Sequence, residues 1–350
     1  MHSESVLRQI GRTNLLRFFS FFAALITLMA TSFAQELESW PYRVQRGDTL
    51  LSISAQYLEN KNEWRQIQKT NKLKNPNRIE PNALLLIPTK LLKQQTTSAT
   101  IAFVDGSTQL RPLGETVERQ LRKGDQVRQG DQIRTGANAT TTIDFVDGSQ
   151  LVILRDSIVT FVKLQGRSDA KLASIQIDLK QGRVETRVTP RKNKSSHYEI
   201  FTPTVQIGVR GTEFRVNAGD GSVTRTEVLE GTIAAENSLG STAVPMGFGT
   251  LIEKNKAPQA PVALLAAPKQ PDLLYTPKSI SVHWNELPDA KNYRIVIASN
   301  QSFSQLVGEY VTSKQEIQLA PLPPGRYFLR LRAVDSNGLE GRASERAIDL

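Results

Sequence analysis

Apolar positions along this chain recur with two periods. Near the N-terminal side both appear within one short stretch. Tyr42-Arg43-Val44 alternates as a short strand does, whereas Leu50, Ile53, Ser54, Tyr57 and Leu58 fall at i, i+3, i+4, i+7 and i+8, one face of a helix. Gly47-Asp48-Thr49 between them predicts a turn, with Asp48 as the cap of that helix. Trp64 and Ile67 predict a second short helix after Asn62. Asn71 to Asn77 reads as a loop, and Leu84 to Ile87, closed by Pro88, as a final strand. The order is strand, helix, helix, strand.

Beyond residue 100 the period is two almost throughout. Phe103-Val104-Asp105-Gly106-Ser107 recurs as Phe145-Val146-Asp147-Gly148-Ser149, and Gly124-Asp125-Gln126-Val127-Arg128-Gln129 recurs at once as Gly130-Asp131-Gln132-Ile133-Arg134-Thr135. Asp-Gly between alternating segments is a strong hairpin signal. Ile143 and Phe145 before one such turn, Leu151 and Ile153 after it, and Ile175, Ile177 and Leu179 further on predict short antiparallel strands in a sandwich, barrel or solenoid-like stack. A last alternating region places Ile280, Val282 and Trp284, then Tyr293, Ile295 and Ile297, then Tyr327, Leu329, Leu331 and Ala333 on inward faces. Composition punctuates these regions. Residues 91–100 (LLKQQTTSAT) are polar, and residues 253–274 carry Pro258, Pro261, Pro268 and Pro271; both read as linkers. The expected organisation is therefore mainly β and multidomain, with a small βααβ module at 40–90, an antiparallel all-β domain at 101–252 and a β-sandwich at 275–350.

The first 34 residues predict a cleavable signal peptide. Arg8, Arg12 and Arg17 form a positive flank, Phe18 to Ala30 is an apolar run, and Ser32-Phe33-Ala34 supplies small residues for cleavage after Ala34. No later apolar run is long enough to span a membrane, so no membrane span is expected after cleavage. Of the net charge of +10, the signal segment holds +2, leaving a basic remainder suited to anionic surfaces. Export argues against nucleic acid as the partner. The chain has no cysteine, which removes disulfides, thiolate zinc sites, cysteine nucleophiles and lipidation at an N-terminal Cys.

Three resemblances follow from these blocks. Residues 42–88, through YRVQRGDTLLSISAQY, NKLKNPNRI and LLLIP at matching spacing, resemble the LysM domain. That resemblance implies binding of N-acetylglucosamine-containing glycan between two loops, at positions corresponding to Gly47, Asp48, Thr49 and Leu50 on the first and Asn75, Pro76, Arg78 and Ile79 on the second. An acetamido sugar needs backbone donors and acceptors and a small apolar surface, here expected from Leu50 and Ile79. The family's usual Pro-Gly-Gln before the last strand is Pro81-Asn82-Ala83 here, and Asn tolerates the left-handed turn. Residues 101–236 resemble the FecR-type periplasmic domain, through KGDQVRQGDQIRTGANATTTIDFVDGSQLVI, LKQGRVE, TPTVQIGVRGTEFRV and VLEGTI. Founding members of that family signal to a sigma-factor system and carry a cytoplasmic segment and membrane anchor; a signal peptide stands in their place here. Residues 275–350 resemble a fibronectin type III-like sandwich, through SVHWNELPDAKNYRIVI and LPPGRYFLRLRAVDSNGLEG, with Trp284 as core.

Catalytic constellations are missing from the sequence. Only His197 and His283 follow the signal segment, far apart, and there is no His-x-His or His-Glu-x-x-His and no Gly-x-Ser-x-Gly elbow. Asp105, Asp125, Asp131 and Asp147 sit where turns favour Asp for local hydrogen bonds. Arg210 is expected in an internal contact, Arg191-Lys192-Asn193-Lys194 in a solvated loop, and Asp335-Ser336-Asn337-Gly338 in a turn that lacks the remaining ligands of a calcium loop. The sequence thus points to a non-enzymatic, exported envelope protein without cofactor or metal. Its partners would be peptidoglycan glycan strands and an unidentified envelope protein. An envelope sensor acting through the middle domain is the alternative, and a two-carboxylate glycosidase a minor one.

Overall fold

The computed structural model describes residues 39–93, 95–167, 172–190, 197–209, 211–276, 279–319 and 321–350. The segment read as a signal peptide, the basic run at 191–194 and Arg210 lie outside the described residues. The chain divides into two compact units, one ending at Lys93 and the other beginning at Gln94.

The first unit follows the alternation of its sequence. Strands β1 (Ser39–Arg43) and β2 (Leu84–Pro88) pair antiparallel with Arg43 opposite Leu84. Between them lie helices α1 (Leu50–Tyr57) and α2 (Trp64–Thr70). The predicted stripe is the core face of α1: Leu50, Ile53, Ser54, Tyr57 and Leu58 are all buried, with Ile67, Leu85 and Ile87 opposite. Ser54 is polar on that face, and its hydroxyl donates to the Asn60 carbonyl. Trp40, Tyr42 and Tyr57 form a three-ring cluster with centroids 5.2–5.3 Å apart. The first turn of α1 differs from expectation. Its cap is Thr49, whose Oγ1 accepts from the Ser52 N–H (3.0 Å) while Ser52 Oγ accepts from the Thr49 N–H (2.9 Å), a capping box. Asp48 is occupied elsewhere.

The second unit contains two sheets whose pairings close on each other. Its first sheet takes β3 (Ala99–Asp105), β4 (Thr140–Asp144), β5 (Gln150–Ile153), the end of β6 (Leu172–Arg187), β7 (Glu213–Gly219), β8 (Val223–Glu230) and β9 (Phe248–Glu253), adjacent in that order. The other sheet uses the beginning of the same β6, flanked by the strand Ile158–Arg167 and, in parallel, by His197–Phe201. One strand therefore serves both sheets, and its register shifts at Gly182. That residue has φ +88°, and a Cβ there would lie 2.3 Å from Ser157 Oγ, so only glycine fits. The inward residues of both sheets, among them Ile143, Leu151, Ile153, Ile177, Leu179, Val184 and Phe214, make one core.

The C-terminal residues form a sandwich of three and four strands. The four-stranded sheet has β10 (Asn292–Ala298) between β11 (Leu306–Thr312) and β12 (Arg326–Val334), with β13 (Glu340–Asp349) beyond β12. Trp284 is buried edge-on to Tyr293 with ring centroids 5.3 Å apart, and the Tyr327 hydroxyl donates to the Pro323 carbonyl (3.0 Å), both features of such sandwiches.

The outer faces of β5–β8 and of β10–β13 lie against each other. Charged residues there alternate with the core residues and are themselves buried. Glu340 accepts from Arg294 Nε (2.6 Å), Arg332 Nη1 (3.0 Å) and Arg183 Nη1 (3.2 Å), and Arg215 Nη1 lies 3.8 Å away. Glu185 takes both terminal nitrogens of Arg332, at 2.5 and 3.0 Å. Glu309 pairs with Arg183 and Arg294. Glu227 lies 3.3 Å from Arg215 Nε and accepts the Glu340 N–H. Arg332 is 1% exposed. Beside this network Val152 and Leu154 pack on Val296, Ala298, Phe303 and Leu306. The Pro-rich segment lies along both partners. Val262–Ala263 pairs with β9, the Leu264 N–H donates to Gly247, and the Leu265 carbonyl accepts from Arg342. Proline is tolerated at such sheet edges.

Two predictions follow from the buried charges. Glu340→Ala leaves four arginines short of a carboxylate, and breaking a buried ionic cluster costs about 3–5 kcal/mol. The urea midpoint of the second unit should fall accordingly, while the transition of residues 39–93 stays in place. The second concerns acid. Burial alone would raise Glu185, but the Arg332 charge and hydrogen bonds outweigh it and hold the carboxyl at about 2, against a usual 4.5. Glu309 and Glu340 are likewise held low by their arginines against the cost of burial. Their stabilisation is present above the unfolded value and is lost as pH falls through the folded ones. Glu227 acts oppositely, because burial raises it to about 7, so the folded state loses stability as pH rises from 4.5 towards 7. Urea titrations should show greatest stability of this unit in mild acid and a steep fall below about pH 4.

Candidate glycan-binding site

The first loop leaves β1 at Arg43 and the second enters β2 at Leu84. Because these residues pair, both loops lie at one end of the small sheet. In the first loop the Asp48 N–H donates to the Gln45 carbonyl (3.1 Å), closing a turn with Gly47 at φ +93°. That left-handed φ is the requirement of a type II turn. The Asp48 carboxylate accepts from the Gln45 N–H and from the Tyr42 hydroxyl, each at 2.7 Å. Burial and then this bond to Asp48 raise the Tyr42 phenol well above its usual range. Asp48 is thus the internal brace of the loop. A Cβ on Gly47 would meet nothing within 4 Å, so the backbone above it is open to an approaching ligand.

In the second loop Asn75 Oδ1 accepts from the Asn77 N–H and the Asn75 carbonyl from the Arg78 N–H (3.3 Å), with Pro76 between. The following turn closes from the Ala83 N–H to the Glu80 carbonyl (3.1 Å), with Asn82 at φ +69°. Asn82 therefore occupies the left-handed position that glycine would otherwise take. Its N–H donates to Val44 (2.8 Å) and the Val44 N–H to Ala83 (2.9 Å), stitching this turn to the start of the first loop.

The predicted residues separate by exposure. Gly47, Thr49, Asn75 and Arg78 are exposed, and Asp48, Pro76 and Ile79 are half-buried. Leu50 is 2% exposed and belongs to the core, so it has no surface to offer a sugar. The exposed apolar groups nearby are Leu51 (53%) and Leu84 (57%). Alternation could have found Leu84, since Leu85 and Ile87 point inward; the helical stripe that buries Leu50 likewise exposes Leu51. Sequence reading also missed Asn71. Its amide donates to Ile67 and Leu86 carbonyls (2.8 Å each) and accepts the Leu86 N–H (2.7 Å), tying α2 to β2 beneath the second loop.

Asp125, Asp131, Asp147 and Asp335 of the second unit are structural turn aspartates. Asp125 and Asp131 repeat the Asp48 turn: each N–H donates three residues back at 3.1 Å, and each carboxylate accepts the N–H of that residue (Arg122, 3.0 Å; Arg128, 2.9 Å). Asp147 accepts from Ser149, and Asp335 from the Asn337 and Leu339 N–H groups. Among the described residues no group of three His, Asp or Glu is arranged to hold a metal ion, and no helix is long and apolar enough to cross a membrane.

The family model described as LysM domain matches residues 42–88, the stretch that holds both loops. Residues 42–88 are a LysM domain. The model described as FecR protein matches residues 131–234, which lie inside the two-sheet core of the second unit. LysM and FecR domains are binding and signalling families typical of envelope proteins. No curated protein matches the chain. Among solved structures, a protein described as an anti-sigma factor from Parabacteroides distasonis ATCC 8503 shares 10% identity at a TM-score of 0.30, over 36% of this chain and 56% of that one. The chain thus spans about half the length of that protein. A structure described as FN3tt shares 23% identity at a TM-score of 0.22, over 25% of this chain and 96% of that one. The spore cortex lytic enzyme SleM of Clostridium perfringens shares 14% at 0.21, over 25% and 29%.

The brace in the LysM domain generates a prediction. Tyr42→Phe removes one hydrogen bond to Asp48 and should cost about 1 kcal/mol. Asp48→Ala also frees the Gln45 N–H and should cost more. Both are read as falls in the thermal midpoint of the LysM transition.

Proposed function

We propose that this is an exported, non-enzymatic protein of the bacterial envelope that binds N-acetylglucosamine-containing strands of peptidoglycan through its LysM domain. The observation that carries this reading is the open end of the small sheet. The Gly47 backbone on the first loop is uncovered, Arg78 on the second is exposed and Ile79 half-buried, and Leu51 and Leu84, which follow the two loops, are exposed apolar residues, within a sequence matching LysM. Backbone groups of the Gly47–Thr49 turn would meet the sugar amide, and Ile79 with Leu84 its methyl group. Asp48 and Leu50 act behind that surface by holding the loop in shape. The match to FecR supports a second element: the larger unit meets an envelope protein partner, as a scaffold or as part of a sensor. The basic character of the chain favours the anionic wall.

Retention of the full chain on purified sacculi tests the glycan reading. Ile79→Asp combined with Leu84→Asp should reduce retention at least tenfold with little change in the thermal midpoint, since neither side chain is fully buried. Soluble chitooligosaccharide should compete. A wild-type chain that is not retained, or a double variant retained equally, would overturn the proposal.

A further inference from the structure

Between the two packed faces of the second unit, at the edge of the Arg–Glu network, lies a cleft of about 210 Å³. One wall is the end of β3 and the Ala137–Thr140 turn, carrying Asp105; the other is β11 from Leu306 to Tyr310, and Arg155 lies at the boundary. Two opposite charges in this cleft keep spare capacity. Arg155 Nε lies 3.5 Å from Glu309 Oε2, and its two terminal nitrogens have no hydrogen-bond partner among the described residues. Arg155 remains one-third exposed. Glu309 is 6% exposed and locked from behind by Arg183 and Arg294, yet its Oε2 accepts no hydrogen bond. Asp105 makes no ion pair among the described residues, and burial raises its carboxyl above the usual range. The Tyr310 ring packs against Gly308 to shape the same wall. The volume falls below the roughly 300–1,000 Å³ typical of pockets for drug-sized ligands.

We propose that this cleft binds a small zwitterion, an amino acid or a dipeptide, with its carboxylate on Arg155 and its ammonium on Asp105. A guanidinium with two free terminal nitrogens matches a carboxylate fork. A partly desolvated carboxylate that faces no cation gains most from an ammonium. Each half of such a ligand meets one of these groups, the spare terminal nitrogens of Arg155 or the Asp105 carboxylate, whereas a molecule bearing one charge meets only one of them. The site is independent of the LysM reading, since it involves only the second unit.

Calorimetric titration of the full chain tests this with glycine, D-alanine, L-alanine and D-alanyl-D-alanine, and with acetate and ethylammonium as singly charged controls. At least one zwitterion should bind at least tenfold more tightly than either control. Saturation by the amino acids assigns the site to free amino acids; saturation by the dipeptide alone assigns it to dipeptides. Arg155→Gln and Asp105→Asn should each weaken binding at least tenfold with the thermal midpoint kept, because both side chains are partly exposed. The proposal fails if no zwitterion binds, if the controls bind equally, or if both variants bind as the wild type does.

Discussion

The second unit depends on a sheet face of buried arginines and glutamates. Two sheets with apolar outer faces would associate through the hydrophobic effect alone, at many angles. Here Glu340 takes hydrogen bonds from Arg183 on β6 and from Arg294 and Arg332 on β10 and β12, while Glu185 on β6 takes both terminal nitrogens of Arg332. Such contacts are satisfied at one orientation and leave unpaired buried charge at others. Replacing a buried ionic cluster by apolar residues is often neutral or stabilising, so the gain lies less in stability than in a single geometry. The side cluster around Val152, Val296 and Phe303 adds apolar burial, and the Pro-rich strap runs from β9 to β13 along both edges. The FecR-type domain and the C-terminal sandwich consequently act as one block.

A second constraint is local and used three times. Gln45-Arg46-Gly47-Asp48, Arg122-Lys123-Gly124-Asp125 and Arg128-Gln129-Gly130-Asp131 all fold into a turn with glycine at φ near +90° and an aspartate that accepts the N–H of the first residue. Glycine supplies the backbone angle, and the carboxylate satisfies a donor that the turn would otherwise expose. In the LysM domain this device displaces the expected capping role of Asp48 onto Thr49. One carboxylate cannot serve both the Gln45 N–H and the first N–H groups of α1.

How far the sequence could be read follows from which physics is local. The inward sets of every sheet were legible, because alternation with period two records one buried face. The same alternation misleads for the opposite face. Arg294, Arg330 and Arg332 alternate with Ile295, Leu329 and Leu331 as solvated residues would, yet a second sheet covers them; no local pattern distinguishes water from a complementary charged face. The prolines at 258–271 have linker composition, and their place along two sheet edges depends on partners far away in sequence. At the glycan site the turn glycine and the left-handed Asn82 were readable. The exposure of Leu51 in place of Leu50 was readable too, once the helical stripe was taken as decisive.

The rigid block also accounts for the cleft. A network that pins two sheets by charge ends where its last members run out of partners, and here that end is Arg155, bound through one nitrogen to a Glu309 already held by two other arginines. Had Asp105 come within reach of Arg155, the network would have closed and the cleft would carry no net demand for a ligand. Asp105 instead sits beside Gly106, whose Cβ position is blocked at 2.4 Å by the Asn138 carbonyl. The Asn138 carbonyl thus packs directly on the hairpin backbone beside Asp105, and Asp105 makes no ion pair with Arg155 among the described residues. The spare nitrogens of Arg155 and the Asp105 carboxylate therefore line one cleft from different elements, the first at the end of the ionic network and the second at the end of β3.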